Sequence, residues 1–221
     1  MYYLDIHTHH ERQSPNVLSV QSLTLEDCLS GPISETKLVS VGLHPWFSTL
    51  TGLEENLRKL KINAAQKNVK LIGECGLDKL RGAKMEDQIY ILTQQIILAE
   101  QLGKPLILHC VKAFSELIAL KDKLNVNVPM IIHGFNKNEE LGKQLLAKGF
   151  ILSFGTSVLN AKSSAAKLVR ETNEFFLETD TSEVPIEEIY ANVAILKNCS
   201  VDELKGRIFK DWKQIINNKN V

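Results

Sequence analysis

The stretch "KPLILHCVKAFSELIALKDKLNVNVPMIIHGF", Lys104–Phe135, reads as one complete β-α-β unit. Pro105–Cys110 is a short apolar run. Phe114, Leu117, Ile118 and Leu124 then recur at helical spacing, and Met130–Gly134 is a second apolar run. Apolar runs separated by an amphipathic helix are the pattern of parallel strands joined by crossovers. Each strand ends at a histidine, His109 in one case and His133 in the other.

The same alternation extends in both directions. Strands are predicted at Tyr2–His7, Val17–Ser22, Leu38–Leu43, Lys70–Cys75, Phe150–Phe154 and Phe175–Thr179, in addition to the two above. Leu53, Leu57, Leu60 and Ala64 mark a helix behind a Thr51/Glu54 capping-box pattern. Met85, Ile89, Leu92, Ile96 and Ala99 mark a longer one, stopped by Gly103–Pro105. Leu141, Leu145 and Leu146 mark another, as do Ile186, Ile189, Tyr190, Val193 and Leu196. A Ser200/Glu203 capping box opens the last helix, which carries Leu204, Ile208, Trp212 and Ile215. Eight parallel strands with helices between them predict an α/β fold, a TIM-like (β/α)8 barrel, as a single domain over residues 1–221. Barrels of this kind routinely occupy roughly 200–250 residues.

The first connection breaks the pattern. Only nine residues separate His7 from Val17, and a parallel crossover needs about a dozen or more. A reduced first βα connection leaves one face of the first strand bare. The C-terminal helix or a second subunit, in a homodimer, is expected to cover it.

The position of the six histidines turns this fold into a functional expectation. His7, His9, His10, His44, His109 and His133 all fall at or just beyond the C-terminal ends of predicted strands. Glu74 closes "KLIGE" and Asp180 closes "FFLETD". In an α/β barrel these strand ends form the face on which the active site is built. Asp5 and His7 share one side of the first strand, and His9 continues it if the chain stays extended. Imidazoles and carboxylates together suit Zn²⁺, Mn²⁺ or a similar divalent ion, and six candidate ligands suggest two of them. A metal pair can activate water and clamp the attacking and leaving oxygens of a displacement.

Composition narrows the alternatives. The chain carries 26 basic and 26 acidic side chains, so no global field recruits nucleic acid. No apolar run approaches the ~20 residues of a membrane span, and Asp5 and His7 interrupt any signal-peptide core. Cys28, Cys75, Cys110 and Cys199 are scattered with no framework spacing. They are expected to be free thiols, so a cytoplasmic location and no membrane partner are expected. Cys75 and Cys110 follow Glu74 and His109 directly, and alternation turns them away from the strand-end face as small hydrophobes. Gly73–Gly76 reads as a tight bend.

The stretches "DIHTHH", "VGLHPW", "IGECGLD", "PLILHC", "IIHGF" and "FFLETD", in that order between residues 5 and 180, together resemble the TatD family of metal-dependent hydrolases. The resemblance implies two divalent ions (Zn, Mn or Mg). It assigns His7 and His9 to one ion, Glu74 to a bridging position, and His109 and His133 to the second. Asp180 is implied to bind metal and orient the nucleophilic water, which makes Asp180 and Glu74 the catalytic pair. It implies a phosphodiesterase or deoxyribonuclease with DNA or another nucleotide phosphodiester as substrate. His44, Trp46, Asp78, Lys112 and Asn136 fall in supporting or substrate-contact positions, and Glu178 reads as an internal hydrogen-bonding residue.

The departures from the family lie around the ligands. Val111 and Lys112 stand in "HCVKA" where the family often has "HSRDA", so the arginine suited to a phosphate is missing. "HGFNK" replaces "HCFSG", and Trp46 replaces a usual histidine. Lys79, Arg81, Lys112 and Lys137 all follow strand ends and are candidates for the positive charge. Two other readings accommodate these departures: hydrolysis of a small ester, amide or lactone at the same centre, or a barrel that binds without catalysis.

Overall fold

A computed structural model describes residues 1–11, 14–29 and 34–217. The strands are β1 (Tyr3–Thr8), β2 (Val17–Leu23), β3 (Leu38–Val41), β4 (Val69–Asp78), β5 (Leu106–Val111), β6 (Met130–Ile132), β7 (Phe150–Phe154) and β8 (Phe175–Leu177). They form one sheet in sequential order, β1 to β8. The pairings β1–β2, β3–β4, β4–β5 and β7–β8 are parallel, and β1 meets β8 through a parallel bridge between Thr8 and Asp180. This is the topology of a TIM-like (β/α)8 fold. The helices are α1 (Leu25–Leu29), α2 (Leu53–Ala64), α3 (Met85–Leu102), α4 (Phe114–Leu124), α5 (Glu139–Ala147), α6 (Ser164–Glu171), α7 (Ile186–Leu196) and α8 (Val201–Ile216). None of the described helices is long and apolar enough to cross a membrane. The chain divides into two compact units, one comprising Met1–Gln21 and Ile132–Asn218, the other Ser22–Ile131.

In the first unit β1 is buried on both faces, from Leu4 and Ile6 to Asp5 and His7. The described residues after β1 form bends and a turn, with Arg12 and Gln13 outside the description. The cover for β1 comes from α7 and α8 of the same chain. The Tyr190 hydroxyl donates to the Leu4 carbonyl at 3.0 Å and accepts from the Leu4 amide at 3.2 Å. Its ring meets Tyr3 edge-on, while the Lys205 ammonium lies 4.4 Å from the Tyr3 ring centre. The capping box of α8 forms as expected, with Ser200 and Glu203 each accepting from the other's backbone amide. Helix α6 is absent from the sequence expectation. Its buried face is built partly from Ala165 and Ala166, a weak apolar signal, and Ser163 caps it through the Ala166 amide.

The second unit holds β3 to β5 and α1 to α4. Here β4 runs on to Asp78, and the "GECG" stretch is not a bend. Gly73 and Gly76 lie inside the strand at φ 132° and 149°, where a Cβ would come within 2.3 Å of the Ile107 carbonyl and 1.9 Å of the His109 carbonyl. Glycine is required there because β4 presses on β5 across an irregularity between Ile72 and Cys75. The Thr51/Glu54 cap does not form. Gly52 occupies the N-cap of α2 in a left-handed conformation with no side-chain bond. Helix α3 ends as expected at Gly103, also left-handed.

Candidate functional site

Among the described residues, each unit holds a group of metal-competent side chains of its own. In the first unit the ligand atoms of His7, His133 and Asp180 all lie within 4.8 Å of one another. His7 is the penultimate residue of β1, His133 follows β6, and Asp180 lies beyond β8. The backbone fixes this arrangement. The Asp180 amide donates to the His7 carbonyl and the His9 amide donates to the Asp180 carbonyl, both at 3.0 Å. Asp180 itself takes φ 52°, a left-handed conformation that aspartate tolerates better than most residues. Its Oδ1 stands 3.7 Å from His7 Nε2 and 3.6 Å from His9 Nε2. His9 is exposed and packs edge-on against His7, whereas His7 is wholly buried.

Two buried acids support this group. Asp5 accepts from the Thr179 amide at 3.0 Å and from its hydroxyl at 2.7 Å, which ties β1 to the segment that carries Asp180. Glu178 accepts from the Gly134 amide at 2.6 Å and faces His133 Nδ1 at 3.4 Å. Burial pushes the Glu178 carboxyl up, but His133 and the nearby His7 outweigh it and hold it below the usual range. Glu178 is therefore an internal hydrogen-bonding residue, as read from its position. Beside Asp180 lies a cleft of about 210 Å³, lined by Asn136, Thr156, Ser157, Thr181 and Ser182. Asn136 thus shares the cleft with Asp180.

In the second unit His44, Glu74 and His109 form the corresponding group. Glu74 Oε1 lies 3.1 Å from His44 Nε2 and 3.1 Å from His109 Nδ1. The Trp46 amide donates to His44 Nδ1 at 3.2 Å, so that nitrogen is an acceptor and Nε2 carries the proton donated to Glu74. His44 therefore orients the carboxylate. His109 Nε2 contacts Asp78 Oδ2 at 3.0 Å, and the Trp46 indole donates to the same oxygen at 2.6 Å. Burial pushes the Asp78 carboxyl up. The Trp46 indole, the His109 ring and the Leu80 amide together override it and keep Asp78 below the usual carboxylate range. A carboxylate on the far nitrogen of a histidine is the arrangement that orients such a ring towards a metal. The donors are nitrogen and oxygen only, so both groups fit Zn²⁺, Mn²⁺ or Mg²⁺ chemistry.

Lys112 is exposed with φ 55°, and Lys79 pairs with Glu116 at 2.6 Å. Cys75 and Cys110 are buried. Burial pushes the Cys110 thiol up to about 12 and Cys75 higher still, which leaves both as inert packing groups.

Sequence reasoning put Asp5 on the His7 side of the first strand without a role, and passed over Thr179 and two glutamines of α3. Gln95 accepts from the Leu43 amide at 2.7 Å and donates to its carbonyl at 3.0 Å. Gln88 accepts from the Asp78 amide and donates to the Asp78, Arg81 and Ala83 carbonyls. Both are buried, two turns apart on one helix face, and they pin Leu43 beside His44 and the end of β4 at Asp78. A polar residue inside an apolar helical stripe is the signal that could have found them.

The TatD related DNase family matches residues 20–215. A "3'-5' ssDNA/RNA exonuclease TatD" from Cronobacter sakazakii is 30% identical over 147 residues, covering 64% of this chain and 56% of that protein. An "uncharacterized metal-dependent hydrolase YabD" from Bacillus subtilis is 31% identical over 147 residues, covering 64% and 57% respectively. These alignments span little more than half the length of the curated relatives. The crystal structure of YjjV, a TatD homologue from Escherichia coli, superposes with a TM-score of 0.79 at 18% identity, covering 97% of this chain and 98% of that one.

Proposed function

The chain belongs to the TatD related DNase family, and on that footing we propose that it is a metal-dependent phosphodiesterase, a deoxyribonuclease acting on single-stranded or terminal DNA. The observation that carries this reading is the pair of histidine–carboxylate groups, each with its own supporting acids. Ligation is assigned to His7, His9, His133 and Asp180 in the first unit and to Glu74 and His109 in the second. Divalent ions held there would supply Lewis-acid polarisation of a phosphoryl oxygen and a hydrolytic nucleophile at neutral pH. Asp180, whose Oδ1 faces two imidazoles, orients the attacking water and takes up its proton. Asp78 holds the His109 ring and His44 holds the Glu74 carboxylate. The exonuclease activity in the name of the Cronobacter relative supports nucleic acid as the substrate class. No observation of its own favours a small ester, amide or lactone. The four free cysteines support a reducing, cytoplasmic setting.

The test is cleavage of labelled oligonucleotides with Mg²⁺ or Mn²⁺ by wild type, Glu74→Ala and Asp180→Ala. General acid–base help is worth about 10²–10⁴-fold, so Asp180→Ala is expected to lose at least about a hundredfold in kcat. Equal rates for all three proteins would reject the reading.

A further inference from the structure

The missing phosphate-binding arginine has a substitute in the second unit. We propose that Arg81, whose guanidinium lies over the Trp46 indole, is the residue that holds a phosphate of the nucleic-acid strand beside the His44–Glu74–His109 group. The inference rests on the phosphodiesterase reading above and names the substrate contact that Val111 cannot make.

Three observations carry it. First, the Arg81 guanidinium carbon lies 4.6 Å from the centre of the Trp46 ring. Trp46 in turn touches both imidazoles of the group, with ring centres 4.9 Å from His44 and 5.4 Å from His109. The cation is thus one ring away from the candidate ligands. Second, a guanidinium attracted to an aromatic face spends none of its N–H donors on a hydrogen bond to a carboxylate. No carboxylate occupies that fork among the described residues, so its planar, bidentate geometry remains open to a phosphate. The neighbouring Lys79 is already committed to Glu116. Third, platform and loop are held in place before any ligand arrives. Asp78 anchors the indole N–H at 2.6 Å, and Gln88 anchors the Arg81 carbonyl at 3.0 Å. Gly82, at φ 88°, packs so closely on Pro45 that a Cβ would sit 2.1 Å from its carbonyl oxygen. A cation fixed in this way loses less freedom on binding than one on an open loop.

Exposure fits the role. Trp46 is 38% and Phe47 71% exposed with their rings nearly perpendicular, so a base can lie on the open Phe47 ring while its phosphate meets Arg81.

The experiment measures binding and cleavage separately. A short fluorescent single-stranded oligonucleotide is titrated in chelator, where nothing turns over, against wild type, Arg81→Ala, Arg81→Lys and Lys79→Ala. A charge-assisted bidentate contact predicts that Arg81→Ala weakens binding by about tenfold or more. Arg81→Lys recovers only part of it because lysine lacks the fork, and Lys79→Ala binds as wild type. With Mg²⁺ or Mn²⁺ added, the Arg81→Ala defect falls on KM more than on kcat. Adding Val111→Arg to Arg81→Ala restores part of the affinity, an outcome that loss of a merely structural arginine would not give. Arg81→Ala binding equal to wild type, or Lys79→Ala as weak as Arg81→Ala, overturns the assignment while leaving the phosphodiesterase reading intact. Equal cleavage by wild type and Glu74→Ala overturns that reading, whatever Arg81 does. A wild type that neither binds nor cleaves the oligonucleotide overturns both.

Discussion

The two histidine–carboxylate groups use the same donors but are held in different ways. In the first unit the main chain does most of the work. Strand-end hydrogen bonds between His7, His9 and Asp180 fix where Asp180 stands, and Asp5 clamps Thr179 one residue before it. In the second unit the scaffold is a relay of side chains. Trp46 holds Asp78, Asp78 holds His109, and His109 and His44 share Glu74. A main-chain frame resists single substitutions, because each side chain only trims its stability. A side-chain relay passes any change directly to the ligand atoms. Metal affinity should therefore be more fragile in the second unit and folding stability more fragile in the first.

Asp78→Asn is the sharpest way to break this contrast. Loss of a carboxylate behind a metal-binding histidine typically costs about 10–100-fold in affinity. Equilibrium dialysis against Zn²⁺ or Mn²⁺ should show a loss in that range, with near-normal thermal stability because the substitution is isosteric. Unchanged affinity would remove the relay from the argument.

Thr179→Val is the counterpart in the first unit. It leaves a buried Asp5 oxygen without its hydroxyl donor and removes the Thr8 contact at 3.0 Å, which should cost about 1–3 kcal/mol of stability. Denaturant titration should detect that loss while metal affinity stays within a few-fold of wild type. A larger effect on affinity than on stability would reverse the roles given to the two scaffolds.

The gathering of His7, His133 and Asp180, and of Glu74 and His109, was legible in sequence because each follows an apolar run. A parallel fold sends the ends of such runs to one face. The supports were less legible. Asp5 and Thr179 are distant in sequence and meet only because β1 lies beside β8. Gln88 and Gln95 look like interruptions of an apolar helix until the loops they bind are seen. The glycines of "GECG" carry a turn-like composition, yet they serve a strand, because what demands them is the neighbouring backbone of β5 and not a reversal of β4. Helix α6 escaped because alanine makes a faint stripe. Arg81 was one of four cations following strand ends, and only the side-chain geometry separates it from Lys79.

Acid should pull the two units in opposite directions, which is the smallest and most discriminating contrast. In the second unit the Lys79 ammonium holds the Glu116 carboxyl below its usual range. A depressed carboxyl contributes stability that is present above the ordinary value, about 4.3, and lost as the pH falls through the folded value. In the first unit partial burial, with Asp211 nearby, pushes the Glu174 carboxyl up. A raised carboxyl costs stability once the pH rises through the folded value, and that cost disappears below the ordinary one. Glu116→Gln should therefore lower the melting temperature at pH 7, whereas Glu174→Gln should raise it. Each effect should stay within about 0.5 kcal/mol, as expected at the surface; the Glu174 effect should fade towards pH 4 and the Glu116 effect only below it. Calorimetry across that range would detect the opposite signs. If both variants shifted the same way, the charges around these acids would be acting through the chain as a whole and not unit by unit.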